Sequence, residues 1–463
     1  MAGRHGTWKG LYGTGVLLLA LLSGCGQRDS EPPSPGGGTK PPNLVLISID
    51  TLRADHLGCY GYPRNTSPNI DALARNAVTY RQVYSTSAKT AESHMSMFTS
   101  LYPTVHKVET ITEAVPIRVL DTSITTLAEI LTANGYVTVG FHGGGFVEGQ
   151  FGFDRGFERY EKSDWHSARE WILDHGRERP FFLFFHTYRV HDPYTPSPPY
   201  DRLFSSGYDG KIVHDIDELK RIADSEEWSD YSKVFWNRVD TTDARDVARL
   251  VDLYDGAIAQ LDADLGRLFG VIDEAVPETI IIITSDHGEE FGEHGKFTHQ
   301  QLYNEILHVP LVIRHPHVAG GFALDERVSL VDLAPTILDM LALAGDEQFQ
   351  GRSFWAGRVR ARGRTAIFSE LPVLELSSLM DNQRKVMVRP EGWEYYELAS
   401  DPREQRNLGD GTQRPLLFAE LEQKLDRRQR DNEALAAKLN VEEVKETLDE
   451  ATIEQLRQLG YIQ

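Results

Sequence analysis

The chain has 463 residues, 40% apolar, 25% charged and 10% aromatic, a balance that fits an ordered globular protein and excludes an intrinsically disordered one. At roughly 100–200 residues per domain, the length allows two or three domains, or one large α/β domain with an appendage. With 69 acidic residues against 48 basic ones the net charge is −21 and the pI near 5.2, and there is no Lys/Arg-rich run, which excludes a nucleic-acid partner. Two cysteines, Cys25 and Cys59, exclude both a disulfide scaffold and a four-cysteine zinc module.

Residues 1–24 carry Arg4 and Lys9 ahead of an apolar run from Val16 to Leu22. That run is far short of the about 20 apolar residues that span a bilayer, and it reads as a secretory signal. It ends Leu22-Ser23-Gly24-Cys25, which resembles a bacterial lipobox, with small residues directly before a cysteine that is lipidated and becomes the new N-terminus. Cys25 is therefore the expected lipidation site of an exported, envelope-anchored lipoprotein, and Gly26 after it points to the outer membrane. Residues 25–42 follow as a Pro/Gly/Ser-rich tether without apolar periodicity. With Cys25 acylated, Cys59 has no partner for an intramolecular disulfide and is expected as a packed thiol.

The first apolar run of the folded part is Asn43–Ile49, ending at Asp50. Ser67-Pro68 then supplies an N-cap and a first-turn proline, with Ile70, Leu73, Ala74 and Ala77 as the buried stripe of a helix. The stretch 91–101 reads as a second helix, with Thr90 at its N-terminus. Phe181–Phe185 is another short run, followed by His186 and His191. Residues 200–246 are polar but hold Trp228, Tyr231 and Trp236, whose expected role is packing under an irregular loop, with stacking on a sugar as the other reading. Leu250, Tyr254, Ala257, Leu261, Leu265 and Leu268 step by three and four and predict a long amphipathic helix. Ile280–Ile283 is a further buried run, ending at Asp286-His287.

Short runs that are apolar on both faces suit parallel strands covered by helices. Open α/β sheets place ligands at the C-terminal ends of such strands. After about residue 345 the texture changes to short alternating segments at 365–369, 385–388 and 393–398, then a charged helix at 414–440 and a Leu-rich tail at 452–462. The expectation is an α/β body over 43–345 with a central, mostly parallel sheet, a small sheet subdomain over 346–413, and a helical tail over 414–463.

Asp50 and the pair Asp286-His287 offer carboxylates and one imidazole at strand ends, a set suited to a divalent ion such as Ca, Mg, Mn or Zn. The glycines of SDHGEEFGEHG (285–295) allow a tight turn around that pair. Glu289, Glu290 and Glu293 are expected to be solvated.

Several segments together resemble the sulfatase family of the alkaline phosphatase superfamily: IDTLRADHLGCYGY (49–62), SPNIDALA (67–74), SDHGEEFGEHGKFTH (285–299), HVPLVIRHP (308–316), VDLAPTILD (331–339), QGRSF (350–354) and YYELASDPREQRNL (395–408). The resemblance runs in the family's order over nearly the whole mature chain. It implies an alkaline-phosphatase-like sheet, a small C-terminal antiparallel sheet, and metal-dependent hydrolysis of sulfate or phosphate esters at the strand ends. Sulfatases carry a Cys or Ser that is oxidised to formylglycine at the head of a Cys/Ser-x-Pro-Ser-Arg motif. The matching stretch here is Ser87-Ala88-Lys89-Thr90-Ala91-Glu92-Ser93-His94, which puts Thr90 at the nucleophile, Glu92 at the Pro and His94 at the Arg. A secondary alcohol cannot be oxidised to an aldehyde, so no formylglycine is expected. Thr90 is expected to attack directly, as a metal ligand and as the first residue of a helix whose free N–H groups favour an anion.

By the same resemblance, His191 would protonate the leaving alkoxide or grip the ester oxygens. Lys296, His94 and His299 would contact the substrate, and Lys296 would neutralise a non-bridging oxygen. His294 and His299 are open also as ligands of a second ion or as groups behind the first. The metal set is Asp50, Thr90, Asp286 and His287. The chain departs from the family where Thr51 follows Asp50 in place of a second acid, and where Arg189 fills a slot suited to another Asp. The substrate is expected to be an anionic ester, on a carbohydrate or lipid headgroup. Two other readings use the same residues: a phospho-group transferase to an envelope lipid or glycan, and a non-catalytic envelope binding protein.

Overall fold

The three apolar runs lie side by side. In the computed structural model, which describes residues 40–109, 117–205, 207–225, 231–355, 363–409 and 416–458, Asn43–Ile49 (β1) sits between Phe181–Thr187 (β5) and Thr279–Thr284 (β6), parallel to both. The other strands of this sheet are Val78–Tyr84 (β2), Val137–His142 (β3), Arg159–Lys162 (β4), Leu311–Arg314 (β7) and Phe322–Ser329 (β8). The order is β8-β2-β7-β6-β1-β5-β3-β4. Only β7 runs against the rest, antiparallel to both β6 and β2. Every residue of β1 and β6 is buried. Leu44 and Leu46 enter one apolar layer and Val45, Ile47 and Ile49 the other, which is why the runs carry no polar alternation. The fold is therefore the expected α/β one.

The helices also form where periodicity placed them. Pro68–Ala74 (α1) buries Ile70, Leu73 and Ala74. Its N-terminus is not capped by the Ser67 side chain; Asp262 reaches over to take the N–H groups of Asn69 and Ile70. Thr90–Thr99 (α2) is buried along its whole length. Ala244–Ala275 (α3) buries all six residues of the anticipated stripe.

A four-stranded antiparallel meander follows: Ile367–Leu371 (β9), Leu376–Met380 (β10), Arg384–Arg389 (β11) and Gly392–Glu397 (β12). The sequence showed three of these strands and missed β10. This small sheet shares the main core: Phe368, Leu379, Val386 and Tyr395 belong to the same apolar cluster as Phe98, Leu101 and Leu333, along with Phe418, Leu421 and Leu425 of the helix Leu416–Lys438. Residues from Pro41 onward form one compact unit. The segment expected as a signal peptide, Cys25 and nearly all of the expected tether lie outside the described residues, as does Trp228.

Candidate active site

Asp50 follows directly on β1, where the chain leaves the sheet. Its Oδ2 lies 3.3 Å from His186 Nε2 of β5, and His186 Nδ1 accepts the N–H of Gly143 at 3.3 Å. That second bond fixes the tautomer, so Nε2–H donates to Asp50. Thr51 takes φ +57°, rare and strained for a β-branched residue. It is held there from both sides: Tyr254 donates its hydroxyl to the Thr51 carbonyl at 2.7 Å, and the Thr51 N–H reaches Asp286 Oδ1 at 3.3 Å. The turn aims the two carboxylates at each other.

Asp286 and His287 follow β6. Asp286 Oδ1 also accepts the His287 N–H at 2.9 Å. His287 Nδ1 contacts the Gly288 carbonyl at 3.0 Å, which makes Nδ1 the donor and leaves Nε2 as an acceptor. Gly288 packs so close to the Glu305 carbonyl that a Cβ would collide with it, which explains the glycine after the pair. Arg53 clamps the same loop through the Glu289 carbonyl and the Glu293 carboxylate, at 2.9 and 2.5 Å.

Thr90 is the first residue of α2, buried, with Oγ1 3.5 Å from His287 Nε2. One turn on, His94 lies beneath it. His94 Nδ1 meets the Thr90 carbonyl and its Nε2 meets the Ser48 hydroxyl, both at 2.8 Å. Burial pushes the His94 imidazole down to about 4, against the pull of Asp286. The side chain is enclosed, neutral, and committed at both nitrogens, so it ties the first turn of α2 to β1 rather than presenting a donor to substrate.

The other anticipated residues separate. His191 is buried beside the metal loop, with its ring 5.2 Å from that of His299 and its Nδ1 2.6 Å from the Asp192 carbonyl. His299 in turn lies 4.6 Å, ring to ring, from His287, and its Nδ1 is 3.1 Å from Glu289 Oε1. His94, Thr90, His191, His287 and His299 thus converge. Lys296 does not join them as a buried group; it is exposed in the turn between the short strands Glu290–Phe291 and Phe297–Thr298. His294 stacks on Tyr303 and faces Glu305 Oε2 at 3.4 Å.

The expectation that Glu289 and Glu290 are solvated is overturned: both are fully buried. The loop folds back under the hairpin, so Glu289 turns inward to His299, while burial drives the Glu290 carboxyl up to about 7. Glu293 is only partly exposed, held by Arg53 and the Phe291 N–H. Trp236 packs half-buried and donates to Asp192 Oδ2 at 2.7 Å. Sequence reasoning gave no site role to His186, Ser48 or Lys89. The first two are paired partners in the β1–β5 register, a signal available only once those strands are known to be neighbours.

Asp50, Asp286 and His287 each place a ligand atom within 4.8 Å of the others, and they form the one such group found among the described residues. Asp50 Oδ1 and Asp286 Oδ2 are buried without a hydrogen-bond partner. Burial raises the Asp50 carboxyl to about 6, although His191 pulls it down, and raises Asp286 well above the ordinary range, reinforced by Asp50 itself. Two unpartnered carboxylate oxygens facing each other out of water call for a cation, and the all-oxygen-plus-imidazole donor set fits a divalent metal.

The sulfatase family model matches residues 42–343. Mouse (Mus musculus) arylsulfatase K is 24% identical, over 88% of this chain and 84% of its own. Among solved structures, the phosphonate monoester hydrolase SpPMH from Silicibacter pomeroyi superposes with a TM-score of 0.69 at 19% identity, covering 84% of this chain and 96% of that one. BT4656, solved in complex with its substrate D-glucosamine-2-N,6-O-disulfate, gives 0.68 at 18% identity, covering 85% and 99%. These structures share the α/β fold and the small second sheet. The match of the family model across most of the described body, together with the strand-end site, makes this chain a member of the sulfatase family, an enzyme that hydrolyses sulfate- or phosphate-type esters.

Proposed function

We propose that the protein is a metal-dependent hydrolase of anionic esters in which Thr90 Oγ1 is the direct nucleophile. The observation that carries this reading is the placement of a buried threonine hydroxyl, at a helix N-terminus, beside Asp50, Asp286 and His287. Asp50, Asp286, His287 and Thr90 would hold the divalent ion, which when bound supplies Lewis-acid polarisation of the ester oxygens and of the threonine hydroxyl. The chain's own residues do the rest. Thr90 attacks phosphorus or sulfur, and its proton passes to a carboxylate oxygen of Asp50. The free N–H groups of the first turn of α2 face the anionic group. His191, oriented through Nδ1 by the Asp192 carbonyl, stands on the leaving-group side as the proton donor to the departing alkoxide. Water then attacks the phosphorus or sulfur of the phospho- or sulfo-threonine ester, releasing inorganic phosphate or sulfate and restoring the Thr90 hydroxyl.

Without an aldehyde hydrate to eliminate, a sulfo-threonine is slow to hydrolyse, so the plain alkoxide route favours phosphate or phosphonate esters. The substrate is an anionic ester of a carbohydrate or lipid headgroup, met by an exported enzyme anchored through Cys25. The test is turnover of paired aryl phosphate, phosphodiester, phosphonate and sulfate esters by the chain from residue 26. Each would be run with Mn, Zn, Ca, Mg or chelator, beside Thr90→Ala. Chelator-sensitive turnover that falls about a thousandfold in Thr90→Ala is the expected result; turnover unchanged in that variant overturns the assignment.

A further inference from the structure

We propose that Lys89, the residue before the nucleophile, is the cation that grips the anionic group of the substrate, an inference that rests on the reading of Thr90 above. Lys89 occupies the N-cap position of α2 in an extended conformation and makes no side-chain cap. It is only 7% exposed. The other deeply buried lysine among the described residues, Lys385, is matched by Glu404 at 2.6 Å. Lys89 has no such match: among the described residues its ammonium makes no hydrogen bond and no ion pair. The stem is buried while the ammonium nitrogen is not among the sealed, unpartnered polar atoms, so a largely desolvated cation without a partner is left within reach of a ligand arriving from outside.

The acids around Lys89 are held away from it. Glu92 on its own helix, Glu289 after β6 and Asp192 after β5 all attract the ammonium at longer range. But Glu289 Oε1 is engaged by His299, and Asp192 Oδ2 receives Trp236 Nε1 and the Ser232 hydroxyl. On the other side, the charge of Lys89 is felt by His287 and His299, so the ammonium sits among the site residues. Burial, the largest influence, lowers its pKa. The complement it lacks is therefore a negative charge brought from outside, arriving one residue from Thr90 at the free N–H groups of a ten-residue helix. A non-bridging oxygen of a phosphate or sulfate ester supplies that charge. The role that the family resemblance implies for Lys296, which is exposed on the hairpin, belongs on this geometry to Lys89.

The test is calorimetric titration of the metal-loaded mature protein with inorganic orthophosphate, in the native chain, Lys89→Met and Lys89→Arg. Loss of a charge-assisted bond predicts a Kd for phosphate weaker by roughly tenfold to a hundredfold in Lys89→Met. Lys89→Arg should recover most of that loss, and metal affinity should be the same in all three. A native phosphate Kd in Lys89→Met, an equal loss in the arginine variant, or a native protein that binds no phosphate overturns the proposal. A second measurement needs no variant: reductive methylation of native Lys89, followed by peptide mass spectrometry, should be slowed by orthophosphate, and an unchanged rate counts against it. Because phosphate binding is read without turnover, Thr90→Ala should still bind phosphate. Failure of the nucleophile assignment and failure of the Lys89 role therefore give different results.

Discussion

Ser93 donates its hydroxyl to the backbone carbonyl of Asp286 at 2.8 Å, so the helix that carries Thr90 and the loop that carries Asp286 and His287 are bonded to each other directly. Thr90 and two of the three clustered residues are thereby placed as one piece, although nearly two hundred residues separate them in the chain. Ser93→Ala removes the donor and leaves the carbonyl buried and unsatisfied. The expected cost is about 1–2 kcal/mol in denaturant unfolding, with metal affinity weakened severalfold in a direct titration. Unaltered metal affinity would show that the loop holds its place without the helix.

Asp50 and Asp286 oppose each other while no cation lies between them. Asp50→Asn retains an acceptor for His186 but removes one of two buried carboxylates. In chelator the variant should melt at a higher temperature than the native chain, by an amount equivalent to about 1–2 kcal/mol. On adding Mn or Zn the native chain should gain stability by mass action, and the variant should gain little. A variant that is less stable than native in chelator would contradict the charge conflict.

Glu370, on β9, is buried and accepts the N–H and hydroxyl of Thr104, each at 2.8 Å. Burial raises its carboxyl from 4.5 to about 7, outweighing the Thr104 donors. Between those values the folded chain keeps a proton that the unfolded chain has released, so this group's contribution falls as pH rises through the window, by up to about 3 kcal/mol. Glu370→Gln, which still accepts from Thr104, should flatten the decline in melting temperature between pH 5 and 8. An identical slope in the two proteins would refute the shift.

The proposed anchoring through Cys25 has a direct readout. Cells fed an alkynyl fatty acid should label the native chain but not Cys25→Ser, and the variant should leave the membrane fraction. Label on the variant, or native protein found only in the soluble fraction, would exclude the lipoprotein reading.

Much of the frame was legible because its signals are local. The three runs that became β1, β5 and β6 are continuous and apolar, and the groups that follow them, Asp50, His186 and Asp286-His287, stand where strand ends must carry polar residues. Thr90 was legible as the start of a helix. What stayed hidden depends on pairing between distant segments. Ser48 faces His94 and neighbours His186 only because β1 and β5 are in that register. Glu289 and Glu290 lie in a run so polar that solvent was the natural expectation, and only the fold of the hairpin puts them inside. Strand β10, LSSLM, lacks a long apolar alternation and is recruited by its neighbours.

The small sheet reaches the site from outside the segment that defines the family. Ser369 donates its hydroxyl to the Ser85 carbonyl at 2.6 Å, and the Glu370 N–H bonds the Thr86 carbonyl at 2.9 Å. Those two carbonyls belong to the approach to Lys89 and Thr90. A chain cut after residue 345 would keep Asp50, Thr90, Asp286, His287 and every strand of the eight-stranded sheet, and would still lose the brace that sets where α2 begins. In this protein the C-terminal quarter serves as scaffolding for chemistry encoded some 280 residues earlier, both through this brace and through the apolar core it shares with the main sheet.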